Sequence, residues 1–221
     1  MKFGRSKAVL LAALFALVLA APAYANQLYS QPYDGNGYLN ASQNDTNSGG
    51  LGNFATTYDN WNINPGGLYT INDVQFTGGY IQGGPGSITG WTVNVYFDNG
   101  GIPGTLQHTA HISGNGSESC GGNICTYDVS GLSFQELSQI PYWLSVVPDL
   151  AFNPNNPNQW GWATGTGGDG KAYQSYFGLN QVLGADQAFT LNTGAVPEPG
   201  TLVMLGTGVL GLAGTLRRKL F

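Results

Sequence analysis

Cations are nearly missing from the middle of this 221-residue chain. Of its seven Lys and Arg residues, Lys2, Arg5 and Lys7 stand at the front and Arg217, Arg218 and Lys219 at the back, so Lys171 alone serves everything between. Eleven of the twelve carboxylates, from Asp34 to Asp186, lie in that middle and give it a net charge near −10. Such a body repels phosphate backbones and anionic membranes, which argues against nucleic-acid binding. With Lys, Arg and Glu scarce, the residues that favour exposed helices are also gone. Cysteine is limited to Cys120 and Cys125, half of what a cysteine-built zinc site requires. No apolar run reaches the roughly 20 residues of a comfortable membrane span.

What the ends do contain is ordered. Residues 1–7 carry the three cations, residues 8–21 are apolar, and Ala23-Tyr24-Ala25 has the small-x-small pattern of a cleavage site. These are the three parts of a secretory signal peptide, and cleavage after Ala25 makes Asn26 the first mature residue. At the other end, Val196-Pro197-Glu198-Pro199-Gly200 precedes a mostly apolar run, 201–216, which Arg217-Arg218-Lys219 closes. Basic residues beside a hydrophobic segment stay on the cytoplasmic side, so both ends read as inside and the body as exported. The second run is about 24 Å long as a helix, a marginal span for a core of about 30 Å.

The Val-Pro-Glu-Pro-Gly-Thr motif, the glycine-studded apolar run and the terminal arginine cluster together resemble the PEP-CTERM sorting signal of Gram-negative bacteria that make exopolysaccharide. The resemblance implies an exosortase as partner, a membrane enzyme acting near Pro197-Glu198-Pro199 on a precursor held in the inner membrane. The same tail is also catalogued as an ice-binding protein C-terminal domain. Physically, two prolines flanking Glu198 keep the backbone extended for a processing enzyme, and Arg217, Arg218 and Lys219 stop transfer of the helix. The chain therefore divides into a signal peptide (1–25), an extracellular domain (26–195) and a sorting signal with a transmembrane helix (196–221).

Alternation and turn signals predict an all-β body. Trp91, Val93, Val95 and Phe97 alternate with Thr92, Asn94 and Tyr96, which marks a half-buried strand, and Asp98-Asn99-Gly100-Gly101 marks the turn after it. Further strands are expected at 55–63, 68–81, 105–112, 124–129, 142–147, 159–163, 172–177 and 188–191, with a helical turn at 133–138. Residues 36–52 and 154–158 read as surface loops. Short strands between glycine-rich turns point to an antiparallel two-sheet sandwich, the jelly roll being one such arrangement. The run from Trp91 to Asp98, with Tyr142-Trp143 and Trp160-Gly161-Trp162, is similar to extracellular β-sandwich domains seen ahead of PEP-CTERM tails, which mostly lack known ligands.

Few residues offer chemistry. Cys120 and Cys125, close together in an exported chain, are expected to form a disulfide. His108 and His111, three apart on a strand, point to opposite faces and cannot share an ion without a bulge. Calcium is the one cofactor with a case, through Asp34-Gly35-Asn36, Asp98-Asn99 or Asp169, though none has an EF-hand spacing. No nucleophile elbow appears, and Glu118 and Glu136 are the only glutamates available as a glycosidase pair, so no enzymatic activity is expected. Trp160 and Trp162 share a face beside Asn155, Asn156, Asn158 and Gln159. They suit either an aromatic glycan platform or the sandwich core.

The leading expectation is thus a structural or adhesive protein of the cell surface, outer envelope or exopolysaccharide and biofilm matrix. A carbohydrate-binding module is the alternative. An ice-binding protein stands behind both, because Thr164-Gly165-Thr166 is an isolated threonine pair rather than a repeating array.

Overall fold

The computed structural model describes residues 26–82, 88–151 and 159–193. The strands among them are β1 (Asn26–Gln31), β2 (Leu39–Ala41), β3 (Gln43–Asp45), β4 (Gly52–Trp61), β5 (Leu68–Gln82), β6 (Gly90–Asp98) and β7 (Pro103–Ser113), followed by β8 (Ser119–Gly121), β9 (Ile124–Leu137), β10 (Tyr142–Leu150), β11 (Gln159–Ala163), β12 (Ala172–Tyr176), β13 (Leu179–Leu183) and β14 (Phe189–Thr193). They make an all-β sandwich of two sheets. The first sheet runs β1-β14-β5-β11-β2, with β9 on the far edge of β5 and β8 beyond it. The second runs β13-β12-β4-β3-β10-β6-β7. Pairing is antiparallel except between β3 and β10. Asn26–Gly194 is a compact unit in its own right.

Long β5 organises the first sheet. One edge pairs with β9 from Leu68 to Gly79, while the other is shared between β14, at Asp73–Phe76, and β11, at Gly78–Gln82. Gly78 is required there, because a Cβ would lie 2.1 Å from the Trp160 ring. In the second sheet β10 is buried along its whole length. Its Pro148 falls in the interval between the β4 partners, which end at Ser145, and the β3 partners, which begin at Asp149. A residue without an N–H is tolerated where a neighbouring strand is lacking.

The core lies between the sheets and is aromatic. Phe76, Trp91, Tyr127, Trp160 and Trp162 form one group with centroid separations of 4.8–6.5 Å, mostly edge to face. Such contacts add about 0.5–1.5 kcal/mol per pair to the burial of the rings themselves. Trp91, Val93 and Val95 are fully buried on β6 as their alternation predicts, but Phe97 is 40 % exposed. The register shifts at Val95/Tyr96 and again before Asp98, so the alternation is lost before it reaches Phe97.

Two local expectations are overturned. Residues 133–137, expected with Ser138 as a helical turn, are instead the distal part of β9, paired with β5 through Ile71↔Phe134 and Tyr69↔Glu136. Residues 36–52 are not simply a surface loop: β2 lies in the first sheet and β3 in the second, so the chain crosses between layers at Ser42. Polar side chains permit that crossing inside the protein. Ser42 Oγ donates to Val146 O at 2.8 Å, and Gln43 Oε1 accepts from Trp160 N at 2.7 Å. The loop expected at 154–158 lies outside the described residues, as do the signal peptide and the sorting tail.

Candidate functional site

Trp160 and Trp162 are not a surface platform, since both have no exposed area. They share a face, as β11 dictates, but that face is the inner one. Trp160 Nε1 donates to Tyr127 Oη at 3.1 Å, and Trp162 Nε1 donates to Ala188 O at 2.9 Å, so the two indoles enter the core with their polar edges satisfied. Tyr127 Oη donates onward to Glu118 Oε1 at 3.0 Å, and Tyr80 Oη reaches the same oxygen at 2.7 Å. Burial, with help from nearby Tyr80 and the Glu118 carboxylate, pushes the Tyr127 phenol well above its ordinary range. Glu118 is thus the acceptor that ends a buried chain of donors.

The other chemically suggestive residues are also spoken for. Cys120 and Cys125 stand opposite each other in the β8–β9 hairpin and are joined as a disulfide. Glu118, Cys120 and Cys125 are the one group of three potential ligand side chains within 4.8 Å among the described residues, and bonded sulfurs offer no thiolate. Glu136 sits nine residues along β9 from Tyr127, about 30 Å at strand rise, so it and Glu118 cannot make a glycosidase pair. Glu136 instead lies 3.4 Å from His108, whose ring stacks on Phe134. His111 points the other way and meets Asp149 Oδ2 at 2.7 Å.

The three loop carboxylates considered for calcium act as turn acceptors. Asp34 takes Asn36 N and Thr164 Oγ1, Asp98 takes Gly101 N and Trp143 Nε1, and Asp169 takes Lys171 N and Asn60 Nδ2. More unusual is Asp59, buried between the layers. Its Oδ2 accepts from Gln187 N, while its Oδ1 has no hydrogen-bond partner. Burial pushes this carboxyl up to about 9, with the nearby Asp186 and Asp169 charges acting in the same direction.

Among the hollows lined by the described residues, two bear on function. The larger, about 430 Å³, lies across the first sheet and is lined by Gln75, Thr77, Thr126, Asp128 and Thr190, with Tyr33 at one end. Its polar lining is partly engaged already: Gln75 Nε2 donates to Asp128 Oδ2, and Thr190 pairs with Ser30 outside the hollow. Beside Asp128 stands Asp73, whose carboxyl is raised to about 7 by burial and by that neighbour.

The smaller hollow, about 290 Å³, is lined by Asn40, Gln159, Gln174, Tyr176 and Gln181, with Leu39 and Ile81 among its apolar surfaces. Amides and an aromatic ring converge there without a single carboxylate or cation. Gln174 is locked in place, since Nε2 donates to Ala41 O at 2.9 Å and Oε1 accepts from Gln181 Nε2 at 2.7 Å. Next to it the β12–β13 hairpin turns through Phe177-Gly178, with φ of 48° and 76°. Both central residues of a two-residue turn adopt positive φ when the turn must match strand twist. Phe177 is 56 % exposed and packs at 4.8 Å from Tyr176 and 5.2 Å from the buried Phe54. Alternation could place Gln159 beside a face, but nothing in the spacing brings residues 40, 159, 176 and 181 together. The Phe-Gly turn was the one local signal of an aromatic tip.

The tail supplies the decisive comparison. Residues 195–219 match the family model of the PEP-CTERM protein-sorting motif. A comparison with curated proteins returned no match. The PEP-CTERM motif marks the chain as an exported protein, made as a membrane-anchored precursor and processed by an exosortase for the cell surface. Val196, Pro197, Glu198, Pro199 and Gly200 and the basic trio Arg217, Arg218 and Lys219 fall inside the matched stretch. They lie outside the described residues, together with Ala23 and Ala25. Among the described residues no helix is long and apolar enough to cross a membrane.

Proposed function

We propose that the mature chain is a non-enzymatic structural or adhesive protein of the cell surface, retained in the exopolysaccharide or biofilm matrix. The sorting motif behind an all-β body carries this reading. Such a motif specifies a destination, and the body ahead of it is a stiff sandwich with a solvated, acidic surface suited to residence outside the cell. Fractionation of producing cells tests it. The protein is expected in the surface and matrix fractions and is expected to leave them when matrix polysaccharide is digested. Replacing Pro197, Glu198 and Pro199 with Ala should leave it in the inner membrane. Recovery of the parent only from the periplasm would reject the assignment.

A dedicated carbohydrate-binding module is the second reading, and one observation favours it. The amide-lined groove beside Tyr176 and Phe177 has the residue types that hold sugar rings, aromatic faces flanked by groups that both donate and accept.

A further inference from the structure

We propose that the groove lined by Gln159, Gln174, Tyr176 and Gln181, with the Phe177 tip beside it, is the contact site for a neutral polysaccharide chain. The inference rests on the matrix reading and gives it a location and a ligand class.

Charge selects the ligand class. The body carries a net charge near −10, yet residues 172–185 contain no ionisable group other than Tyr173 and Tyr176. The groove itself holds no Asp, Glu, Lys or His. An anionic polymer would meet the general repulsion of the body with no local cation to offset it, and a polyamine would find its partners elsewhere on the surface. Hydroxyls of a neutral sugar are donors and acceptors at once. Gln and Asn side chains are the neutral groups that answer both roles.

The hairpin tip supplies the second line of support. A left-handed backbone costs an ordinary L-residue, and Asn or Gly is the residue type that a turn of this geometry favours. Phe177 takes φ of 48° there and remains more than half exposed, so backbone preference does not account for it and its partial burial does no more than offset the strain. Phe54, 8 % exposed, braces both Tyr176 and Phe177 from beneath, and Phe177 N donates to Phe54 O at 2.7 Å. The rings are therefore held in position before any ligand arrives, which lowers the ordering cost of binding. A hollow of about 290 Å³ is at the small end of ligand sites, so it seats a short stretch of a longer chain.

Affinity electrophoresis of the full-length chain in detergent tests this, using gels cast with hydroxyethylcellulose, galactomannan or alginate. Retardation is expected in at least one of the two neutral gels and not in alginate. Phe177→Asn suits the turn better than Phe and removes the anchoring ring, so it should fold and bind about tenfold more weakly or worse. Gln181→Glu places a charge in the groove at an exposed position and should weaken retention to a similar extent, giving a second reading should Phe177→Asn misfold. Near-ultraviolet circular dichroism reports the core aromatics and should be unchanged in both. The proposal is overturned if neither neutral gel retards the parent, if both variants are retarded as strongly as the parent, or if alginate retards it equally. These results are separable from the fractionation above. A chain held in the matrix that binds neither neutral gel keeps the functional reading and loses this site, whereas a chain that binds but never reaches the surface does the reverse.

Discussion

Single residues decide how this sandwich trades stability against exposure. Phe177 holds a conformation that costs about 1–2 kcal/mol for an L-residue, and its half-covered ring returns roughly 1 kcal/mol through contact with Phe54 and Tyr176. The two nearly cancel, so Phe177→Asn should unfold in urea within about 1 kcal/mol of the parent. Trp160 and Trp162 are the opposite case. Replacing either with Ala opens a cavity in the aromatic core and should cost about 3–5 kcal/mol, read as a fall in the urea midpoint. A midpoint unchanged in both variants would place those indoles at the surface after all. Asp59 makes stability depend on pH. Its folded carboxyl titrates at about 9, above the unfolded value of about 3.9. The folded state therefore binds the extra proton, and its stability contribution is full below about pH 4 and declines as pH rises toward 9. The slope is at most about 1.4 kcal/mol per pH unit for one proton. Asp59→Asn keeps an oxygen for Gln187 N and removes the titration. Its advantage in melting temperature over the parent should grow from pH 5 to pH 8, and parallel curves would clear Asp59 of that role.

At the scale of strands and hairpins, alternation carried most of the fold. β6, β7 and β12 sit within a residue or two of where apolar and aromatic periodicity places them, because their side chains alternate between a more covered and a more open face, and β11 is marked by its Trp-Gly-Trp although it is buried almost throughout. β2 and β3 were illegible. Leu39-Asn40-Ala41 and Gln43-Asn44-Asp45 are three residues each and the second is wholly polar, and Ser42 and Gln43 seat them through carbonyl and amide partners more than a hundred residues away. β13 was missed for the contrary reason: all but its last residue are exposed, so no alternation between environments is written into it. The distal half of β9 mixes Ser and Gln with its apolar residues and declares itself only beside β5. The candidate groove had the same obscurity, since amides on β2, β11, β12 and β13 acquire meaning only when two sheet margins approach. The β8–β9 hairpin, by contrast, was readable from Cys120 and Cys125 alone. The bond closes a loop of few residues, so its reduction should cost less than the roughly 3 kcal/mol of a 15-residue loop. A thiol assay is expected to find no free sulfhydryl before reduction. Two titratable thiols in oxidising buffer would contradict the pairing.

For the whole molecule, β1 and β14 are neighbours, and their register pairs Asn26 with Thr193. The expected first mature residue therefore stands directly across the ladder from the end of the last described strand. Both processing junctions are within a few residues of the same rung. A cut after Ala25 removes nothing from β1, and a cut anywhere in 196–200 lies beyond the last residue of β14, so neither event breaks a pairing that holds the sandwich together. Precursor and product should accordingly share one fold, with the cation-bearing signals discarded and the acidic body delivered. Mass spectrometry of protein recovered from the cell surface is expected to find Asn26 at the start and an end between Val196 and Gly200. Partial unfolding on processing, seen as loss of near-ultraviolet dichroism, would mean that residues beyond Thr193 belong to the folded domain. Recovery from the surface of chains that still end in Arg217-Arg218-Lys219 would show that the tail anchors the protein without being cut, and exosortase processing would have to be given up.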